Sequence, residues 1–150
     1  MDQTITSGSY GVPAEIYSRI DQFYAFQMQA LDDGDIAIWA ETFTDDGTFV
    51  SNGLPDPVVG REQLTALAGE TVARLNDKRA IRRHLVFNVI VEPLAAGVLR
   101  TTCYVPVFDT IDGETSLTTS TVMRDELISL GDGLLVRHRS VTRDDLVMKS

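Results

Sequence analysis

The chain has only two histidines, and they mark where acid–base chemistry is available near neutral pH. His84 lies in the stretch "RRHLVFNVIV", residues 82–91. Alternation along a strand puts Leu85, Phe87, Val89 and Val91 on one face and His84, Val86, Asn88 and Ile90 on the other. The first set is wholly apolar and suits a core. The second mixes two polar side chains with two aliphatics, the composition of a pocket wall that holds an apolar ligand and orients it. The same pattern fits a histidine and an asparagine at the wet end of a strand, and both readings stand. An imidazole aimed into a pocket can remove a proton next to a carbonyl, or protonate a leaving hydroxyl. His138, in "LLVRHRSV", shares a face with Val136 and Ser140, opposite Leu135, Arg137, Arg139 and Val141. It reads first as a structural strand residue flanked by surface arginines, and second as a polar group facing a pocket. Tyr24, Trp39, Phe49, Phe108 and Met123 are large enough to line a cavity, although core packing is the default for such side chains.

Other chemistries find little footing. The histidines lie far apart, and no HExxH or CxxC spacing accompanies them, so no metal site is expected. There is no Ser-His-Asp signature and no glycine-rich phosphate loop. The sequence "GDG" at 131–133 falls between two strand-like runs, where a hairpin turn belongs. Nothing calls for a nucleotide, a flavin or another cofactor. Lys and Arg number 13 against 22 Asp and Glu, for a formal charge of −9. That balance disfavours nucleic acid and anionic membrane surfaces as partners. No apolar run reaches the roughly 18 residues of a membrane span. The opening "MDQTITSGSYG" lacks a basic region followed by an apolar one, so no secretory signal is expected. The single cysteine, Cys103, excludes an intrachain disulfide. A cytoplasmic protein is the expectation.

These residues need elements to position them. A length of 150 residues with 43% hydrophobic content is enough for one sizeable core. Residues 1–12 read as a flexible polar lead, and 13–150 as a single domain. After Pro13, helical spacing of Ile16, Ile20, Phe23, Ala30 and Leu31 predicts an amphipathic helix ending at Asp33-Gly34. Asp35 is placed to cap a second helix, "IAIWAETF". A short strand, "TFVS", and a proline-containing loop precede a third helix, "REQLTALAGETVARL". Beyond Asp77 the segments 81–92, 98–109, 115–129 and 134–143 are rich in β-branched and aromatic residues, with turn signals between them. Three helices followed by a meander of long antiparallel strands give an α+β fold.

This arrangement resembles the cone-shaped fold of the nuclear transport factor two-like superfamily, and within it the SnoaL-like group. The resemblance rests on "FYAFQMQALDDGDIAIWAETFTDDGTF", "GREQL", "RRHLVFNVIV" and "LLVRHRSVTRDD", in that order, and covers most of residues 15–145. It implies a curved sheet wrapped around the helices, an enclosed apolar pocket, and commonly a homodimer. Scytalone-dehydratase-like members carry an aspartate matching Asp32 and a histidine matching His84, which implies an acid–base pair. Departures accompany the match. The second pocket histidine of those enzymes would fall in "LRTTCYVPVFD", which has none, and their early-strand tyrosine falls near Ser51. Tyr104 is a candidate to supply some of the missing polarity. A ketosteroid-isomerase-like base would fall at Ser51, and the Asp–Arg–Asp set of the epoxide-hydrolase branch is not apparent around Arg100.

Two readings of function follow. One is a cofactor-free enzyme of small-molecule, polyketide-type metabolism, performing dehydration, cyclisation or isomerisation. In it Asp32 and His84 act as the acid–base pair and Tyr104 and Asn88 orient oxygens on an apolar or aromatic ligand. The other is a non-catalytic partner or binding protein, because the last two segments also resemble the small β subunit of aromatic-ring-hydroxylating dioxygenases.

Overall fold

The computed structural model describes residues 11–148, so the expected flexible lead lies almost wholly outside the described residues. Helix α1 spans Ala14–Asp32, α2 Ile36–Glu41 and α3 Gly60–Asp77. Proline is well suited to the start of α1, since Pro13 lacks an N–H and its φ of −51° already matches a helix entry. The buried face of α1 carries Ile20, Tyr24, Gln27 and Met28, at the three- and four-residue spacing of one helix face. A six-residue helix such as α2 has little intrinsic stability, and it persists because Trp39 and Ala40 are buried. The Asp35 side chain makes no capping bond to α2, contrary to the expectation from sequence.

The end of α1 is set by Gly34. Its φ of +82° is in the left-handed region, and two backbone bonds close the turn there. Gly34 N–H donates to the Leu31 carbonyl (3.1 Å) and Asp35 N–H to the Ala30 carbonyl (2.8 Å). This is the paired-bond helix stop that glycine favours. It leaves Asp32 as the last residue of the helix, with its side chain at a fixed height.

Among the described residues, nine strands follow the helices or separate them: β1 Phe43–Ser51, β2 Val58–Val59, β3 Ile81–His84, β4 Phe87–Ala95, β5 Val98–Tyr104, β6 Val107–Ile111, β7 Glu114–Thr119, β8 Thr121–Leu130 and β9 Gly133–Arg143. They form a six-stranded sheet in the order β2-β1-β9-β8-β5-β4 and a three-stranded sheet in the order β3-β6-β7. The expected long strands exist, but three of them break at about the same level. The breaks lie at Leu85-Val86, Val105-Pro106 and Ser120. Bonds across the breaks, Leu85 N–H to the Pro106 carbonyl and Val105 N–H to the Thr121 carbonyl, keep the two sheets joined. The result is one mixed, curved surface around the helices, not closed into a barrel. Its one departure from the antiparallel expectation is β1, which runs parallel to β9. The turn at Asp112-Gly113 is the tight hairpin read from sequence, with φ of 51° and 81° at its two corners.

Two irregularities overturn the expected strand faces. Asn88 has φ +56°, and the β4–β5 register shifts between Phe87 and Ile90. Alternation therefore fails across "RRHLVFNVIV": Phe87 is exposed, and Val86 and Val89 both pack against the core. On β9 the register shifts so that Leu127 faces Val136 while Glu126 faces His138. Arg137 is the extra residue of this bulge, and parity flips beyond it. Val136 and Arg139 are both buried, whereas strict alternation puts them on opposite faces. Arg137 is a surface arginine, paired with Glu126, but Arg139 is only 2% exposed.

A core of Ile20, Phe43, Leu64, Leu127 and Val136 surrounds a buried polar chain. Arg139 donates from Nε and Nη2 to both Asp125 oxygens (2.9 Å each) and from Nη2 to Gln27 Oε1 (2.6 Å). The Tyr24 hydroxyl donates to Asp125 Oδ2 (2.7 Å) and contacts Thr101 Oγ1 (2.5 Å). Gln27 Nε2 donates onward to Thr42 Oγ1 at 2.7 Å. Guanidinium and carboxylate thus satisfy each other where water is absent. Burial, reinforced by Asp125, pushes the Tyr24 phenol well above its usual value. Burial, again with Asp125, pushes the Cys103 thiol up to about 12.

Replacing Gly34 with alanine should lower stability by about 1–2 kcal/mol in denaturant titration, because the strain at φ +82° falls on any residue with a Cβ. An unchanged midpoint would show that the turn relaxes. Alkaline pH supplies a second test. The folded state holds the Cys103 and Tyr24 protons more tightly than the unfolded chain does. That contribution is complete below the free-thiol value of 9.0 and is lost as pH rises toward 12. The denaturation midpoint should therefore stay level to about pH 8.5 and fall through that window. Tyr24→Phe should be less stable at neutral pH by about 1–2 kcal/mol and fall less steeply above pH ~10.

Candidate functional site

Asp32 and His84 are 52 residues apart in sequence and meet where the end of α1 crosses β3. Asp32 Oδ1 lies 2.6 Å from His84 Nδ1, and Asp32 Oδ2 accepts the His84 backbone N–H at 3.0 Å. One carboxylate therefore grips both the ring and the main chain of its partner. Because the carboxylate is an acceptor, the Nδ1–H donates, and a neutral ring carries its lone pair on Nε2. Nε2 has no hydrogen bond among the described residues. The strand beneath is held in turn by Arg82, which donates from Nε and Nη2 to the two Asp109 oxygens at 2.8 Å each. The hydrogen bond from Arg82 holds the Asp109 carboxyl below the usual carboxylate range, despite partial burial. That pair ties β3 to β6 two residues from His84, and His84 itself lies opposite Val107.

Asp32 and His84 both line a cavity of about 770 Å³ between α3, the end of α1 and the inner face of the curved sheet. This volume suits a molecule of two or three fused rings. Trp39, Phe49 and Met123 line it as well, so three of the aromatic and sulfur candidates share a wall with the Asp–His pair. The Trp39 indole N–H is buried and has no partner among the described residues. Arg61, from the "GREQL" segment, supports this side of the cavity by donating from Nε and Nη2 to the Phe43 carbonyl (3.0 and 2.6 Å), which fixes α3 against β1.

The remaining sequence candidates sit elsewhere. Tyr24 is in the core behind the wall, bonded to Asp125 and Thr101. Asn88 is exposed at its bulge. Tyr104 is 54% exposed and pairs across β4–β5 with Phe87. Phe108 lies on β6 between Arg83 and Leu117, outside the lining. The His138 ring contacts the Thr48 hydroxyl on β1 and does not line the cavity.

The wall also holds arginines that residue patterning does not place there. Arg139 borders the cavity from β9. Simple alternation set it beside Arg137 on the surface, and the bulge that turns it inward leaves no local signature. Arg74, Arg82 and Arg143 border the same space. Among the described residues no group of three or more His, Cys, Asp or Glu side chains is close enough to hold a metal ion, and no helix is long and apolar enough to cross a membrane. Chemically, the site offers one imidazole nitrogen free of protein partners among the described residues, beside a cavity whose wall mixes apolar side chains with arginines.

The fold recurs in solved structures that are 30–31% identical in sequence. Aln2 from a Streptomyces species is 31% identical, with a TM-score of 0.83 over 91% of this chain and 95% of its own. A protein from Catenulispora acidiphila, in complex with S-DNPA, is 31% identical, with a TM-score of 0.78 over 88% of this chain and 96% of its own. ActVI-ORFA from Streptomyces coelicolor is 30% identical, with a TM-score of 0.79 over 87% of this chain and 98% of its own. No curated protein sequence matches the chain. The family model described as the SnoaL-like domain matches residues 13–140, so this chain belongs to the SnoaL-like family, within the nuclear transport factor two-like fold.

Proposed function

We propose that this small-molecule-binding protein is a cofactor-free enzyme that moves protons on an aromatic, polyketide-like substrate through the Asp32–His84 pair. The observation that carries this reading is the double grip of Asp32 on His84 at the cavity wall. His84 Nε2 takes a proton from a carbon beside a carbonyl, leaving an enolate and an imidazolium. Asp32 balances the imidazolium charge and keeps the ring from turning. The proton then goes back to a different carbon, which is isomerisation, or to a leaving hydroxyl, which departs as water. Trp39, Phe49 and Met123 supply apolar walls that exclude water and flank the substrate's rings. The complex of the Catenulispora acidiphila relative with S-DNPA supports a ligand-binding role for this fold here.

Enolate formation has a signature shared by all these reactions, namely exchange of the α-proton with solvent. With 2-tetralone in D2O, NMR should show deuterium entering the α-position faster with enzyme than in buffer. Asp32→Asn and His84→Ala should each remove most of that acceleration, within the roughly 10²–10⁴-fold range of a positioned acid–base group. Both variants exchanging at the wild-type rate, or the wild type matching buffer, would exclude the mechanism.

A homodimer completes the proposal. Phe87, Ile90 and Tyr104 are exposed on β4 and β5, more apolar surface than a polar edge requires. Light scattering behind a sizing column should return twice the 16.5 kDa of one chain. A mass of one chain would remove the dimer without touching the chemistry.

A further inference from the structure

The guanidinium of Arg139 has three nitrogens, and two are occupied. Nε and Nη2 bond Asp125, and Nη2 also bonds Gln27. Nη1 has no hydrogen bond among the described residues, yet it is not among the side-chain atoms sealed without a partner, which include Trp39 Nε1 alone. Arg139 borders the cavity, and Nη1 is the guanidinium nitrogen that Asp125 and Gln27 leave free for an occupant. The guanidinium cannot swing away to satisfy that edge, because Asp125 and Gln27 hold it from behind and its carbon sits 5.3 Å from the Phe43 ring centre. A buried cation fixed in this way at a cavity wall, with one nitrogen still unbonded, suits an anionic oxygen.

The charge of the lining agrees. Four arginines, Arg74, Arg82, Arg139 and Arg143, border the cavity, against two aspartates, Asp32 and Asp33. The acids that pair three of these arginines, Asp109, Asp125 and Asp145, do not line the cavity. In a chain of net charge −9 this concentration of arginine at one concave surface runs against the average. We infer that Arg139 Nη1 anchors a carboxylate of the cavity's ligand, so that the substrate class is an aromatic carboxylic acid whose ring system lies against Trp39, Phe49 and Met123. This rests on the cavity being the substrate site, but not on the identity of the base.

The pair 2-naphthoate and 2-naphthamide tests it, because the two have the same shape and differ in charge. Calorimetry on the wild type should show naphthoate binding at least about tenfold more tightly than naphthamide, the yield of one charge-assisted bond. A crystal soaked with naphthoate should place its carboxylate within hydrogen-bond distance of Arg139 Nη1. The double variant Arg139→Met with Asp125→Asn avoids a lone buried carboxylate, and it should lose the preference while binding naphthamide as before. His84→Ala should keep the preference, which separates this inference from the catalytic one. Equal affinity of the wild type for both probes, a carboxylate seated against Arg74 or Arg143, or a preference that survives the double variant would each overturn it. Failure of both probes to bind would overturn the aromatic cavity itself.

Discussion

The bond between Asp32 and His84 is the contact on which the site depends, and it is also a structural clasp. It joins the last residue of α1 to the strand that opens the smaller sheet, and it does so through main chain and side chain together. A ring held by one nitrogen alone can rotate. A ring whose own backbone N–H is held by the same carboxylate keeps a single orientation, and the free nitrogen keeps a single direction. Everything that fixes Asp32 therefore fixes the imidazole: the glycine stop at Gly34 from one side, and the Arg82–Asp109 pair on β3 and β6 from the other.

A second polar construction braces another part of the wall. Arg139 and Asp125 are nearly water-free, and a buried pair of this kind costs much of its attraction in lost hydration. Burial draws the Arg139 guanidinium down, but the charge and hydrogen bonds of Asp125 more than offset that, and Arg139 stands above its usual value. What the pair gives in return is geometry. Tyr24 and Gln27 come from α1, Asp125 from β8 and Arg139 from β9, so the network sets the distance between helix and sheet. An apolar core would fill the same space without fixing one direction for a cation.

The parts of the fold written in local chemistry were legible from sequence. Pro13 opens α1, Gly34 closes it, and Asp112-Gly113 turns a hairpin, because each acts on its own backbone. The breaks and bulges were not legible. Nothing in "VP" at 105–106 or in Ser120 announces that three strands bend at one level, since the bend is a property of the stacked strands together. Asn88 and Arg137 show the consequence for function. Each displaces the alternation, so Asn88 leaves the face it was assigned and Arg139 joins a wall it was excluded from. His84 could be picked out by residue type alone. Its partner Asp32 could be picked out only through the family resemblance, because a contact across 52 residues leaves no spacing to read.

The orientation of the His84 ring can be measured directly. Long-range 1H–15N correlation of the histidine side chains, at a pH where the ring is neutral, reports which nitrogen carries the proton. Wild-type His84 should be in the Nδ1–H form, with that preference lost in Asp32→Asn. A wild-type His84 protonated on Nε2 would contradict that, because the nitrogen Asp32 leaves free would then have no lone pair with which to accept a proton.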